Sequence, residues 1–356
     1  MWRHLKIFGT SLAVVVVLGG AGFAGVWFYS ANTARTEIET WLEGLERDGY
    51  EATVDAIGIS GFPRNILVSL DGLSIAADHA LDWQWTAPAV QASVSVTNPQ
   101  RVVVRLRGPQ KISYAGTGGI VTMEIRADRF VFQFDLTDDR ALEALSINTG
   151  GLSLKKAEED PITAERFQFR ATLGQGDEMV PDNTKMSVRF DTLIMPAHTR
   201  GPLGNTIQLI QANLELHEPI PNADLGLVLV DWRDADGAVE IEASQVRWGT
   251  LDMGGRGGFT LDDQMRPKGW VNAQIRGYAT TIDAFDAAGL LDDDERDAID
   301  AVLGFFNQGI GLGQPLQEGR RGSIAMMVRA EDGLIYVGPV SLGKIGPLIP
   351  DLAPPD

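Results

Sequence analysis

The 356-residue sequence has no cysteine and only four histidines. Without cysteine, disulfides, thiolate metal sites and cysteine nucleophiles are excluded, and the redox compartment is left open. No two of the histidines stand at metal-ligand spacing, and we expect surface or turn roles for them. They are His4, His79, His198 and His217. Histidine and cysteine therefore give no sequence signal for a metal site.

Positive charge is also scarce. Lysine and arginine number 30 against 48 acids, so the formal net charge is −18. A surface this acidic repels nucleic acids and anionic lipid head groups. We therefore expect no nucleic-acid partner.

The sequence contains parts of two ligand-binding motifs, but neither motif is complete. Gly338–Lys344 has the glycine and lysine spacing of a phosphate loop, but Ile345 stands where the Ser or Thr that binds magnesium belongs. Asp231–Gly237 resembles part of a calcium loop, yet Trp232 and Ala243 fill the first and last ligand positions, so we interpret it as a hairpin turn. The sequence predicts a protein that is not an enzyme, with no catalytic, cofactor-binding or metal-binding residue.

One long apolar run is present, close to the N-terminus. Ile7–Tyr29 contains no charged residue and is long enough to cross a bilayer as a helix. Arg3 and Lys6 precede it and acids follow it, so the positive-inside rule places the first residues in the cytoplasm. We predict a membrane anchor over residues 1–30. A cleaved signal peptide is the alternative, because Gly22–Ala24 is a possible cleavage site.

Beyond residue 50, apolar residues recur mostly with a period of two. Within Gly237–Gly277, for example, Val271, Ala273 and Ile275 alternate with polar residues. This pattern is typical of antiparallel strands with one solvated face. The sequence therefore predicts a mainly β protein, a large curved antiparallel meander or sandwich. A single β-rich domain is expected over residues 31–350, with a tail over 351–356.

Two regions have helical spacing instead. Apolar residues from Ile38 to Leu45 follow the spacing i, i+3, i+4, i+7, and Gly49 ends this predicted helix. A small two-helix insert is predicted at about residues 281–308, with Thr281 as the cap of its first helix.

Aromatic and methionine side chains form apolar rows on several predicted strands. The rows comprise Phe130, Phe132 and Phe134, then Phe167 and Phe169, then Met186 and Phe190. One interpretation is the core of a sandwich, which is the usual role of such rows. The other is an apolar groove, left partly open by a curled sheet, that would accept an acyl chain. The sequence does not separate the two.

Several motifs resemble the domain of unknown function 2125 family of Gram-negative envelope proteins. They run in family order along the chain, at Trp27–Ser30, Ile59–Pro63, Val246–Gly257, Ala287–Leu291 and Asp332–Leu348. The resemblance implies a single-pass inner-membrane protein with its body in the periplasm, and it brings no activity or catalytic residues. A looser likeness, of architecture alone, is to AsmA-type envelope proteins, which join a membrane anchor to an amphipathic β-sheet curled into a lipid-carrying groove.

These features lead us to expect non-enzymatic binding of lipid or another apolar envelope component in an AsmA-like groove. The inner membrane is the expected partner, and no cofactor is expected. The alternative is a structural or scaffolding protein that docks an envelope partner.

Overall fold

The computed structural model describes residues 32–33, 35–36, 38–47, 49–77, 83–116, 119–156, 159–174, 183–217, 225–289, 296, 323–337 and 340–347. The predicted anchor, most of the second helix of the predicted insert and the tail lie outside these residues. Within the described ranges, no helix is long and apolar enough to cross a membrane.

The chain divides into two compact units. The first contains residues 1–142 and 153–159, and the second contains residues 143–152 and 160–356. The strand Leu142–Lys156 therefore contributes residues to both units. The single domain expected over residues 31–350 stays a prediction.

The first unit is an antiparallel arrangement of strands with one helix. Its elements are α1 (residues 38–47), β1 (Tyr50–Thr53), β2 (Ala56–Ser60), β3 (Asn65–Ala77), β4 (Trp83–Ser95), β5 (Asn98–Arg107), β6 (Gln110–Gly116), β7 (Gly119–Arg126), β8 (Arg129–Leu136) and the end of β9 (Leu142–Lys156). Both β1 and β2 pair with one edge of β3, and β4 pairs with the other edge. β5 and β6 pair with β4, and β8 and β7 pair in turn with β5 and β6. The end of β9 pairs with β7.

In β3 the alternation of buried and less buried side chains shifts by one residue, and a glycine explains this shift. Val68 and Leu70 are buried, and the next buried side chains are Leu73 and Ile75 rather than those at 72 and 74. Between them Gly72 has a φ of 64°, which favours glycine. A side chain there would also collide with the carboxylate of Asp55.

The core of the first unit lies between its sheet and α1. Buried members come from β3 and β4, namely Val68, Leu70, Leu73, Ile75, Ala87 and Val90. Ile38 and Leu45 of α1 pack against them. Gly49 follows the helix with a φ of 87°, and its N–H donates to the Glu46 carbonyl at 3.1 Å. The predicted helix and its glycine terminator are confirmed.

The described residues of the second unit form an antiparallel meander that also carries the helices α2 and α3. Its elements are the start of β9, β10 (Ile162–Thr172), β11 (Thr184–Ile194), a 3-10 turn (Ala197–Thr199), β12 (Thr206–His217), α2 (Leu225–Asp234), β13 (Ala238–Trp248), β14 (Leu251–Leu261), β15 (Pro267–Arg276), α3 (Tyr278–Ala287), β16 (Ser323–Glu331), β17 (Leu334–Val337) and β18 (Val340–Lys344). Each strand from β9 to β17 pairs with the next. β18 completes the series beside β17. The prediction of a mainly β, antiparallel protein is confirmed.

The hairpin turn predicted at Asp231–Gly237 is wrong. Residues through Asp234 belong to α2, and the Gly237 N–H donates to the Trp232 carbonyl at 2.9 Å at the end of this helix. The Trp232 side chain is only 4% exposed, in a cluster that also contains Leu216 and Val239. The helix thus covers one end of the apolar side of the sheet.

The predicted cap at Thr281 is also wrong. α3 starts three residues earlier, at Tyr278, after Gly277 with a φ of 70°. Thr281 therefore lies inside the helix, where its Oγ is buried and has no hydrogen-bond partner among the described residues. α3 ends at Ala287, and just beyond it Gly289 has a φ of 67° and donates its N–H to the Asp286 carbonyl.

Candidate functional site

The seven residues of the predicted groove fall in both units. Phe130, Phe132 and Phe134 lie on β8 in the first unit, and Phe167, Phe169, Met186 and Phe190 lie on β10 and β11 in the second. Each of the seven side chains is partly buried, neither sealed in a core nor fully exposed.

In the first unit the three phenylalanines form a stacked row. The ring centroids of Phe130 and Phe132 are 5.1 Å apart, and those of Phe132 and Phe134 are 6.5 Å apart. Their spacing of two residues places them on one face of β8, as the sequence predicts.

Strand register extends this row into a wider surface, the first apolar face. Phe132, for example, pairs with Val104 on β5, which pairs with Ala92 on β4. The other two rows run from Phe134 through Val102 and Val94 to Ile66, and from Phe130 through Leu106 and Val90 to Leu70. The face is buried at Val90 and Leu70, and it becomes half-buried at the phenylalanines.

In the second unit the predicted residues meet across two strands. Phe167 pairs directly with Phe190, with ring centroids 4.6 Å apart. Phe169 pairs with Val188, and Ala171 with Met186. The four predicted residues therefore share one face.

This surface, the second apolar face, continues across the meander. One row of direct pairs crosses seven strands through Phe167, Phe190, Ile210, Val246, Met253, Ile275 and Ile324. Only Ile324 in this row is buried, at 6% exposure, and the other six side chains are partly buried. Sequence reasoning missed the members on β12 to β16, although the same alternation marks them.

Two glycines interrupt the large side chains of β14 on the second apolar face. On β14, Gly255 and Gly257 occupy face positions between Met253 and Phe259. Gly255 pairs with Ala273 on β15, so the neighbouring strand is also flat there. A Cβ at Gly255 or at Gly257 would meet atoms of β15 within 3.0 Å, so the two strands approach each other closely there.

In each unit the opposite side of the strands is polar. In the first unit Arg101 Nε lies 2.6 Å from an Asp135 carboxylate oxygen. In the second unit Arg189 forms a 2.7 Å ion pair with Asp191 and donates to Gln211 at 2.6 Å. The strands of each unit are therefore amphipathic, and several ion pairs lie on the face opposite the apolar one.

Two carboxylates with lowered pKa values are also bound to neighbouring polar side chains. A hydrogen bond from the Asn183 side chain, 2.7 Å long, lowers the pKa of Glu215, and a hydrogen bond from Arg126 lowers that of Glu124. Lowered pKa values keep these groups ionised and bound to their partners. Among the described residues no group of three or more potential metal ligands occurs.

A comparison with known protein families identifies the family of this chain. A family model described as "Uncharacterized protein conserved in bacteria (DUF2125)" matches residues 27–346. The chain belongs to the DUF2125 family. The match covers all the strands of the DUF2125 chain and both apolar faces, so these surfaces belong to the family domain.

The other comparisons return nothing for this DUF2125 protein. No curated protein matches it, and no solved structure matches it. The family therefore contributes a domain, residues 27–346, without a described activity.

Proposed function

We propose that this DUF2125 protein binds lipid or another apolar component of the cell envelope without catalysing a reaction. The observation that carries the proposal is the seven-strand row of the second apolar face, where six apolar side chains in a row keep part of their surface uncovered. Incomplete burial of so many apolar groups in register favours a binding surface, because a sealed core excludes water from its side chains.

The chemistry of such binding is apolar contact. Each acyl methylene removed from water contributes about 0.8 kcal/mol, so affinity grows with the length of chain that is covered. Met253 and Phe259 on β14 are partly buried and would be among the side chains that contact that chain. The likeness to AsmA-type proteins forms part of the proposal, as does an inner-membrane anchor with the body in the periplasm.

A photoactivatable phospholipid, with a diazirine in its acyl chain, tests the proposal on the full chain in vesicles. After irradiation we expect label on peptides of β10 and β11, mapped by mass spectrometry. Phe169→Glu places a charge on the second apolar face and should remove this label. Gln168→Glu adds the same charge one residue away on the opposite face and should leave it unchanged.

Phe132→Glu applies the same test to the first apolar face. Circular dichroism and thermal unfolding of each variant distinguish loss of binding from loss of fold. Label confined to residues 7–29 in the wild type would overturn the proposal. Co-isolation of a stoichiometric envelope protein with an unlabelled body would favour the scaffolding alternative instead.

A further inference from the structure

A second surface feature lies on the polar side of the second unit. It is a shallow, open cavity of about 710 Å³. We call it the Trp270 cavity, and its lining includes Glu240, Glu242, Arg256, Gly258, Lys268 and Trp270. Its volume falls in the range of about 300–1,000 Å³ that is usual for small-molecule sites.

Strand register explains how the cavity forms. Glu240 on β13 pairs with Gly258 on β14, and Gly258 pairs with Trp270 on β15. Gly258 has no side chain, so a slot about two strand spacings wide, roughly 10 Å between backbones, separates the carboxylate from the indole. Neighbouring strand positions close its two ends, with Arg256 at one and Lys268 at the other.

Trp270 differs from Trp232 and Trp248, the two tryptophans of this unit whose indole N–H groups donate hydrogen bonds. Trp232 donates its indole N–H to the His217 carbonyl, and Trp248 donates to the Gly204 carbonyl. Trp270 is 45% exposed, and its indole has no hydrogen bond or ring contact among the described residues. Its cross-strand neighbour Arg329 lies instead over the Tyr336 ring, 4.9 Å from the centroid. A large apolar side chain is thus left available in a polar cleft.

The charged groups of the cavity are divided between its two sides. Acceptors lie on β13, where the Glu240 carboxylate is 3.5 Å from His217 Nε2 and 58% exposed. Donors lie on β14 and β15, where Arg256 and Lys268 have no carboxylate within ion-pair distance among the described residues. The cavity thus has hydrogen-bond acceptors on one side, hydrogen-bond donors on the other, and the Trp270 indole as an aromatic wall. This arrangement matches a ligand that carries hydroxyl groups around an apolar ring face.

We propose that the Trp270 cavity binds a saccharide. A sugar ring stacks its C–H face on Trp270, and its hydroxyls donate to Glu240 and Glu242 and accept from Arg256 and Lys268. Two acids against two bases leave the cavity close to neutral in an otherwise acidic chain, which suits an uncharged sugar. The open shape fits a glycan that keeps one side in water. This proposal is independent of the second apolar face, which lies on the other side of the same strands.

The test uses the full chain in a polyoxyethylene detergent, because a maltoside detergent would compete. Saturation-transfer difference NMR with maltotriose and with the N-acetylglucosamine trimer should show transfer to ring protons of at least one saccharide. Trp270→Ala should weaken that binding roughly fivefold, and Trp270→Phe less, since aromatic stacking contributes about 1 kcal/mol. Glu240→Gln should also weaken it.

Trp41→Ala is the matched control. Trp41 is 46% exposed, almost the same as Trp270, but it belongs to the first unit and does not line the cavity, so its replacement should leave saccharide binding unchanged. Thermal unfolding confirms that each variant is folded. Absence of transfer to both saccharides, or saccharide binding that survives Trp270→Ala, would overturn the proposal. Binding of glycerophosphoethanolamine in place of both sugars would also overturn it, and would identify a zwitterion site.

Discussion

At the scale of single residues, the turn between β14 and β15 depends on one carboxylate. Asp262 Oδ1 accepts hydrogen bonds from the backbone N–H groups of Gln264 and Arg266, at 3.0 and 2.9 Å. Its Oδ2 accepts from Arg266 Nε at 2.7 Å. Burial alone raises the pKa of Asp262, but these hydrogen bonds and the Arg266 charge outweigh burial and lower the pKa below its ordinary value.

Asp262→Asn is therefore expected to destabilise the protein in a pH-dependent way. A lowered folded pKa means that the carboxylate stabilises the fold above its unfolded pKa of about 3.9 and loses this effect as the pH falls through the folded value. At pH 7 we expect a loss of about 2–3 kcal/mol in the free energy of unfolding, measured by urea titration. The difference from the wild type should shrink below about pH 4.

Asp263→Asn provides the control for this experiment. It removes the neighbouring carboxyl group, while only the backbone carbonyl of Asp263 bonds to Arg233. A loss for Asp262→Asn that stays constant from pH 7 to pH 3 would show that ionisation of Asp262 is not what stabilises the turn.

Two adjacent glycines of β14 are expected to respond differently to alanine. A Cβ at Gly257 would collide with the backbone carbonyl of Trp270, whereas a Cβ at Gly258 has the Val239 carbonyl oxygen as its nearest atom, at 3.3 Å. Overpacking of this kind costs about 1–3 kcal/mol, so Gly257→Ala should lower the free energy of unfolding by about 2–3 kcal/mol. Gly258→Ala should cost less than about 1 kcal/mol. Equal losses in chemical unfolding would refute a close strand approach specific to Gly257.

At the scale of elements, alternation predicts strands well but cannot place bulges. β13 shows this, because Val239, Ile241 and Ala243 have the period of one buried face. In the structure the register shifts between Ile241 and Ser244, and Ala243 is exposed. A bulge adds a residue without any change in composition, so a period of two continues straight through it.

The helix α2 was missed for a related reason. Its first six residues, Leu225–Val230, are apolar apart from one glycine, and such a run does not distinguish a strand from a buried helix. Asp236-Gly237 then has the composition of a hairpin turn. In the structure Asp236 does have a φ of 58°, but it follows a helix whose packing through Trp232 is decided by tertiary contacts.

That packing gives a prediction for the element as a whole. Trp232 is buried and donates its indole N–H to the His217 carbonyl at 3.3 Å. Trp232→Ala should lower the free energy of unfolding by about 3–5 kcal/mol in a chemical titration, because it opens a cavity under α2. Trp232→Phe retains most of the packing and should cost about 1–2 kcal/mol. Trp270→Ala removes an exposed indole and should change stability by less than about 0.5 kcal/mol. Similar losses for Trp232→Ala and Trp270→Ala would contradict the packing of α2 on the sheet.

The candidate site illustrates what register adds to periodicity. The sequence placed Phe167 and Phe190 on apolar strand faces, but only the pairing of β10 with β11 brings their rings to 4.6 Å. It also gave no reason to select Ile210 or Ile275, which resemble ordinary strand residues until seven strands align them. Non-local pairing is the information that a single sequence lacks.

At the scale of the whole molecule, the division into two units has no mark in the sequence. The chain passes from one unit to the other at 142/143 and at 152/153, both inside β9, and again at 159/160. Gly151, just before the second of these crossings, has a φ of 60°, but it stands in a run that otherwise reads as one strand. Domain boundaries are recognised by linkers, and a strand shared by two units provides none.

The fate of Ile7–Tyr29 determines how the whole molecule would work, and we expect it to stay attached as an anchor. After alkaline carbonate extraction of cell membranes, the protein should remain in the pellet, and N-terminal sequencing should find no cleavage after Ala24. Val15→Arg should release or destabilise the protein, since a central arginine costs about 2.5–3.5 kcal/mol of insertion free energy. A soluble product that begins at Gly25 would instead identify a signal peptide. If the anchor stays attached, the β-rich part of the protein would bind an acyl chain only within reach of its own membrane. If the anchor is cleaved, the released protein would have to carry that chain through water, with its apolar faces covered throughout.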